Sequence, residues 1–228
     1  MYMSIKKFFS CLLVILCFFT VSCTGDKESE TEEELIERLR NSVVLITEGE
    51  SHGSGVIGEI TDSEIYIYTA AHVVAGYDQG IITFSSGYVG FADVSCCDEK
   101  SDAAILTINK SDFADDFSLS LQSAEIDLDK YEALSEDDSI YLVGSSVGAA
   151  ANVSTAAFKA YDYYVPEFDE YLLYLYGDAD PGMSGAGAFT ADGYLIGLVT
   201  GSSDTGEVVC IPIKDYIEAG GFNNGNKD

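Results

Sequence analysis

An all-β fold is predicted by three features of this sequence. Short apolar runs of strand length recur from Ser42 onward. Glycine is frequent, at 22 residues, and proline scarce, at 3, a balance suited to strands joined by tight turns. Between these runs no stretch carries a helix-length 3.6-residue apolar period, which argues against a parallel α/β sheet. With a leader and tether set aside, roughly 180 residues remain, enough for one domain built as two barrels or two sheets.

The chain opens with a leader pattern over residues 1–22. Lys6 and Lys7 form a positive segment, and Phe8 to Val21 is apolar. That run is short for a membrane-spanning helix and suits the apolar region of an export signal. It ends in Thr20-Val21-Ser22-Cys23. A small residue and a cysteine after such a run resemble a bacterial lipobox, in which Cys23 is lipidated and becomes the new N-terminus; Thr20 stands where leucine is usual. Ordinary cleavage and an uncleaved anchor are the alternatives. Residues 23–40 read as an acidic tether and a short helix. Asp26, Glu28, Glu30 and Glu32 to Glu34 give a solvated stalk on a membrane. Thr31-Glu32-Glu33-Glu34 has the form of a capping box and predicts a helix carrying Leu35, Ile36 and Leu39 on one face, ending near Arg40-Asn41.

Twelve strand patterns follow. The first six are Val43–Thr47, Gly53–Gly58, Glu64–Ala70, Gly80–Phe84, Tyr88–Val94 and Ala103–Ile108. Asp112 to Leu134 is acidic and reads as a linker. The second six are Ser139–Val143, Val153–Ala160, Glu170–Tyr176, Gly185–Thr190, Tyr194–Gly201 and Glu207–Pro212. A short terminal helix is expected over Asp215–Ala219.

The formal net charge is −28. Nucleic acid is excluded as a partner, because phosphate backbones demand Lys and Arg, and so is electrostatic adhesion to anionic lipid. Three of the six cysteines, Cys96, Cys97 and Cys210, lie beyond the leader and Cys23. Adjacent Cys96 and Cys97 on a strand point to opposite faces, and either could pair with Cys210. Neither a metal-ligand spacing nor a cofactor motif is present, so no metal and no cofactor is expected.

Three polar residues stand at strand ends. His72 follows a strand in Tyr68-Thr69-Ala70-Ala71-His72-Val73-Val74, where the small alanines leave room for close backbone packing. Asp102 opens the apolar strand of Ser101-Asp102-Ala103-Ala104-Ile105-Leu106. A carboxylate there needs a partner for its charge, and an imidazole is the natural one. Ser184 lies in Asp180-Pro181-Gly182-Met183-Ser184-Gly185-Ala186-Gly187. Glycines on both sides allow a sharp turn, and the amides of Gly182 and Ser184 can form an oxyanion hole. Each signal alone has a plainer explanation: a structural histidine, a strand cap, a glycine-rich turn. Their order His, Asp, Ser in a β-rich setting is specific. His52, the other histidine, reads as an exposed turn residue. The tyrosines Tyr161, Tyr163, Tyr164, Tyr171, Tyr174 and Tyr176 read as the packing of paired strands, or as a binding surface.

These segments, with Gly53-Ser54-Gly55-Val56-Ile57 and Gly197-Leu198-Val199, resemble the trypsin-like serine protease superfamily, especially its bacterial HtrA-type and V8-like branches, over roughly Asn41 to Asp215. The resemblance implies two six-stranded antiparallel β-barrels, about 41–111 and about 135–213, in a protease domain spanning 41–220, with short helices at both ends and no PDZ domain. It implies a His72-Asp102-Ser184 triad in the cleft between the barrels, acting by acyl transfer on a peptide or protein substrate whose backbone pairs with Thr200-Gly201-Ser202. Asp178, six residues before Ser184, stands where trypsin keeps the aspartate that selects Lys or Arg, although V8-like enzymes carry an acid there without that preference. Glutamate-specific relatives use a second-barrel histidine, and no histidine follows His72 here. Ala186 departs from the glycine or serine usual at its position. The resemblance implies an exported, lipid-anchored serine endopeptidase. The alternatives are a protease-fold lipoprotein that binds or senses with vestigial catalysis, and a purely structural one. The sequence does not set the oligomeric state.

Overall fold

The computed structural model describes residues 30–49, 51–113, 121–145, 151–180 and 182–219. The expected signal, Cys23 and Pro181 lie outside the described residues. Among them, twelve strands form two closed, six-stranded antiparallel barrels.

The first barrel contains β1 (Val43–Glu48), β2 (Ser51–Ile60), β3 (Glu64–Ala70), β4 (Gln79–Phe84), β5 (Val89–Asp98) and β6 (Ala103–Asn109). Around the barrel they run β1-β2-β3-β6-β5-β4, and β4 closes onto β1. The second contains β7 (Ser139–Gly144), β8 (Asn152–Val165), β9 (Glu170–Gly177), β10 (Gly187–Thr190), β11 (Leu195–Ser202) and β12 (Glu207–Pro212). Its order, β7-β8-β9-β12-β11-β10, repeats the connectivity of the first. Val44, Ile46, Ile57, Ile65, Ile67, Ile82 and Leu106 share one buried face of the first barrel, and Ile140, Leu142, Phe158, Leu173, Leu175 and Cys210 one buried face of the second. Burial of these side chains is the main force holding each sheet closed.

Among the described residues, four short α-helices decorate the barrels. The capping box at Thr31 starts α1 (Glu32–Asn41), with Glu34 answering the Thr31 amide at 2.9 Å. Leu35 and Leu39 are buried while Ile36 is half-buried, so α1 docks on β1 and β7. The single turn α2 (Ala71–Val74) follows β3 and carries His72. The acidic linker contains a helix that its composition hides, α3 (Leu128–Glu132), whose Asp127 caps the amides of Asp129 and Lys130 at 2.9 and 3.4 Å. The last, α4 (Ile213–Ala219), starts two residues earlier than expected and packs on β11, β12 and β6.

Several strand boundaries differ from the sequence pattern; β2, for one, runs from Ser51 to Ile60 and not from Gly53 to Gly58. β5 continues through Cys96 and Cys97, because a register shift between Val94 and Cys96 absorbs an extra residue. β8 runs on to Val165, forming a long ribbon with β9. β10 begins at Gly187, because Gly185 lies in a turn with φ +79°. Cys96, Cys97 and Cys210 are all free thiols, so neither possible pairing with Cys210 occurs.

Candidate active site

β3 meets β11 across the barrel interface and α4 lies over β11 and β6. His72, Asp102 and Thr200 all come from this region. Asp102 has φ +56°, a left-handed geometry that aspartate tolerates better than most residues. This turn aims its carboxylate back at α2. Oδ1 accepts the His72 amide at 2.8 Å, and Oδ2 lies 2.8 Å from His72 Nδ1. The Asp102 carbonyl accepts the Ala71 amide at 2.7 Å. Backbone and ring of His72 are therefore held by one residue. Asp102 is buried, whereas the His72 side chain is 46% exposed and leaves its other edge open to the cleft.

A second donor reaches the same carboxylate. The hydroxyl of Thr200, on β11, donates to Asp102 Oδ2. Burial pushes the Asp102 carboxyl up, but hydrogen bonds from the His72 ring, Thr200 and the His72 amide together hold it below the ordinary carboxylate range. An ionised Asp102 fixes the proton of His72 on Nδ1 and leaves Nε2 as the basic nitrogen.

Ser184 sits in a turn made by two left-handed glycines, Gly182 (φ +94°) and Gly185 (φ +79°). A Cβ at Gly185 would stand 2.1 Å from the Ser54 carbonyl oxygen and 2.5 Å from Thr69 Oγ1, so only glycine fits. The turn is stapled on both sides. Ser54 donates its amide to the Ser184 carbonyl at 2.7 Å, and Gly185 donates to Val199 at 2.7 Å. Ser54 Oγ lies 3.1 Å from the Gly182 and Ser145 carbonyls and accepts the Ser145 amide at 2.9 Å. Among the described residues no acceptor engages the amides of Gly182 or Ser184, and no hydrogen bond joins His72 to Ser184. The chain next to His72 and the Ser184 turn both approach Gly53. A Cβ there would touch Val73, next to His72, at 2.7 Å and the Ser184 carbonyl at 3.0 Å. Ala186 is buried against Gly144, where a Cβ would come within 2.7 Å of it; the glycine makes room for the alanine.

Thr200, Gly201 and Ser202 end β11. Pairing with β10 stops at Leu198, while β12 continues alongside Gly201 and Ser202. One edge of this segment is thus unpaired by strand. The Thr200 side chain is buried and donates to Asp102, which leaves the expected backbone pairing with a substrate untouched. Asp178 is exposed just after β9, and its carbonyl accepts Ser154 Oγ at 2.8 Å. His52 lies at the start of β2, not in a turn; it is exposed, with its ring about one van der Waals contact from Gly182.

The sequence pattern missed three supporting residues: Thr200 as a partner of Asp102, Ser54, and Tyr216 of α4. Tyr216 is fully buried, stacks on Tyr68 at 5.2 Å and donates to the Thr69 carbonyl at 2.8 Å. Thr200 ends the apolar run from Leu195, where a polar group demands a hydrogen-bond partner; Ser54 and Tyr216 stand among glycine or charged neighbours and carried no such signal. Among the described residues no group of three or more His, Cys, Asp or Glu could hold a metal ion, and no helix is long and apolar enough to cross a membrane.

Residues 53–198 match the family profile of the trypsin-like peptidase domain. Two curated proteins, each named "Probable periplasmic serine endoprotease DegP-like", from Halomonas elongata and Hahella chejuensis, are 29% identical over 153 residues, 66% of this chain. The chain spans 29% and 30% of their lengths. A crystal structure of the serine endoprotease from Yersinia pestis superposes with a TM-score of 0.65 at 21% identity, covering 82% of this chain and 64% of that one.

Proposed function

Because the chain belongs to the trypsin-like peptidase domain family, we propose that it is a serine endopeptidase with His72, Asp102 and Ser184 as its catalytic triad. The observation that carries this reading is the buried Asp102 carboxylate gripping His72 through both the ring and the amide. A carboxylate placed there orients a base; it has no evident use in a passive fold.

The proposed chemistry is acyl transfer. His72 Nε2 takes the proton of Ser184 Oγ as the oxygen attacks a peptide carbonyl. The free amides of Gly182 and Ser184 receive the developing oxyanion, a contribution of about 3 kcal/mol per donor in such sites. His72 then protonates the leaving amine, and water hydrolyses the acyl-enzyme by the reverse proton path. The substrate backbone adds as a strand to the open edge at Thr200, Gly201 and Ser202.

Export fits the leader and the word periplasmic in the names of both curated relatives. Residues 1–22 act as the signal, Cys23 takes a lipid, and residues 23–40 link it to the protease domain at 41–220. Metabolic labelling with a fatty-acid analogue, lost in Cys23→Ser, tests the anchor.

The catalytic reading is tested by cleavage of a quenched fluorescent protein substrate. His72→Ala and Ser184→Ala should each lower the rate at least about 1,000-fold. Equal rates in parent and variants would refute it.

A further inference from the structure

The unpaired edge of β11 continues into a cavity of about 520 Å³ between the end of that strand and the β8–β9 hairpin. Its walls include Tyr163, Phe168, Tyr174 and Val209, and Gly201 and Ser202 form its border with the open edge. Tyr163 and Tyr174 stack with ring centroids 4.5 Å apart, and Tyr163 remains 45% exposed. Phe168 lies across Gly201, where a Cβ would come within 3.3 Å of its ring. The hairpin tip is thereby seated on the strand, so the cavity is preformed. Tyr163 and Tyr174 belong to the tyrosine cluster seen in the sequence, and the packing of the barrel leaves both partly exposed.

The mouth carries charge of one sign. Glu167 and Glu207 line it, and none of the lining residues is Lys, Arg or His. Glu207 is fixed in place: Ser203 and Thr205 donate their hydroxyls to its Oε2 at 2.7 and 2.8 Å. Those bonds, from Ser203 first, hold its carboxyl below the usual range. An ionised carboxylate beside aromatic faces, with no Lys, Arg or His among the residues lining the cavity, matches a long cationic side chain. Its methylenes and charge would lie over Tyr163 and Phe168, and its head would meet the carboxylates.

The geometry points to this cavity as a subsite for an Arg or Lys side chain of the substrate. This rests on the substrate strand proposed above, since only a peptide paired at Gly201 and Ser202 delivers a side chain there. In such a strand alternate residues share a face, so the side chains of one face point in.

The test separates the subsite from catalysis by using the Ser184→Ala protein and measuring binding. Fluorescein-labelled hexapeptide mixtures, with one position at a time fixed as Arg, Lys, norleucine, Phe or Glu, are titrated by anisotropy. At one position Arg should bind about 5-fold tighter than norleucine and at least about 10-fold tighter than Glu. Glu207→Gln should shrink the Arg-to-norleucine ratio to about 2 or less, and Phe168→Ala should reduce the preference of Arg over Glu. Each ratio is taken within one protein, so partial unfolding cancels. Norleucine or Phe binding as tightly as Arg at every position would overturn the proposal, as would ratios untouched by Glu207→Gln or an absence of peptide binding. None of these results depends on whether Ser184 is reactive, which is read separately on the parent protein.

Discussion

The hydroxyl of Thr200, on the second barrel, donates to Oδ2 of Asp102, the oxygen that faces His72 Nδ1. A single oxygen thus collects one donor from each barrel, and the base is oriented only when the barrels are correctly docked. Thr200→Val keeps the shape and removes the hydrogen. A buried carboxylate losing a donor costs about 1–3 kcal/mol of stability at neutral pH, measured by denaturant unfolding. Turnover should fall about 10-fold, with Thr200→Ser restoring most of it.

The same variant should show a signature in pH. Asp102 titrates below its unfolded value of 3.8, so its contribution to stability is complete above that value. The contribution disappears as pH falls through the lower folded value. With Thr200 gone the folded value rises. The acid limb of both the stability curve and the pH–rate profile should move to higher pH, and an unmoved limb would show that Thr200 does not act on Asp102.

Gly185→Ala tests the Ser184 turn. The added methyl would overlap the Ser54 carbonyl at 2.1 Å in a backbone with φ +79°. A loss of about 3 kcal/mol or more is expected, with a midpoint well below that of Gly206→Ala. That control glycine has φ +88° but nothing nearer than 3.4 Å.

Ser54→Ala removes the hydroxyl that bridges Ser145 and the Gly182 carbonyl. Stability should drop by about 1–2 kcal/mol. The rate constant for acylation should fall more than substrate affinity, because the Gly182 carbonyl, and with it the turn that presents the Gly182 and Ser184 amides, loses its anchor while the β11 edge is untouched.

Tyr216→Phe keeps the stack on Tyr68 and deletes the bond to the Thr69 carbonyl, costing about 1 kcal/mol. Tyr216→Ala also empties a fully buried site and should cost about 3–5 kcal/mol. Near-equal melting points for the two would show that α4 does not brace the histidine strand.

The barrels were legible because strand alternation and glycine turns are local signals. Val43–Thr47 and Glu64–Ala70 read as strands from their own residues. The helix α3 was not legible: its five residues are too few to show a period, and its acids matched the composition of a solvated linker. The end of β8 was missed because Tyr161 to Tyr164 serve a two-stranded ribbon, where neither face need be apolar throughout. At the site, His72 and Asp102 are recognisable because a polar residue at a strand end is locally anomalous. The role of the Thr200 side chain was not legible for the opposite reason: its place in a buried strand is local, but the carboxylate it serves lies 98 positions away, and no local pattern encodes that pairing.

The central claim is that Ser184 is an activated nucleophile, and the most direct measurement is covalent labelling. The chain from Thr24 to Asp228 is treated with a fluorophosphonate probe and its intact mass recorded beside a Ser184→Ala control. One adduct on the parent and none on the control is the predicted result. A folded parent that takes no adduct would contradict the account, and a protease-fold binding module would then be the better description.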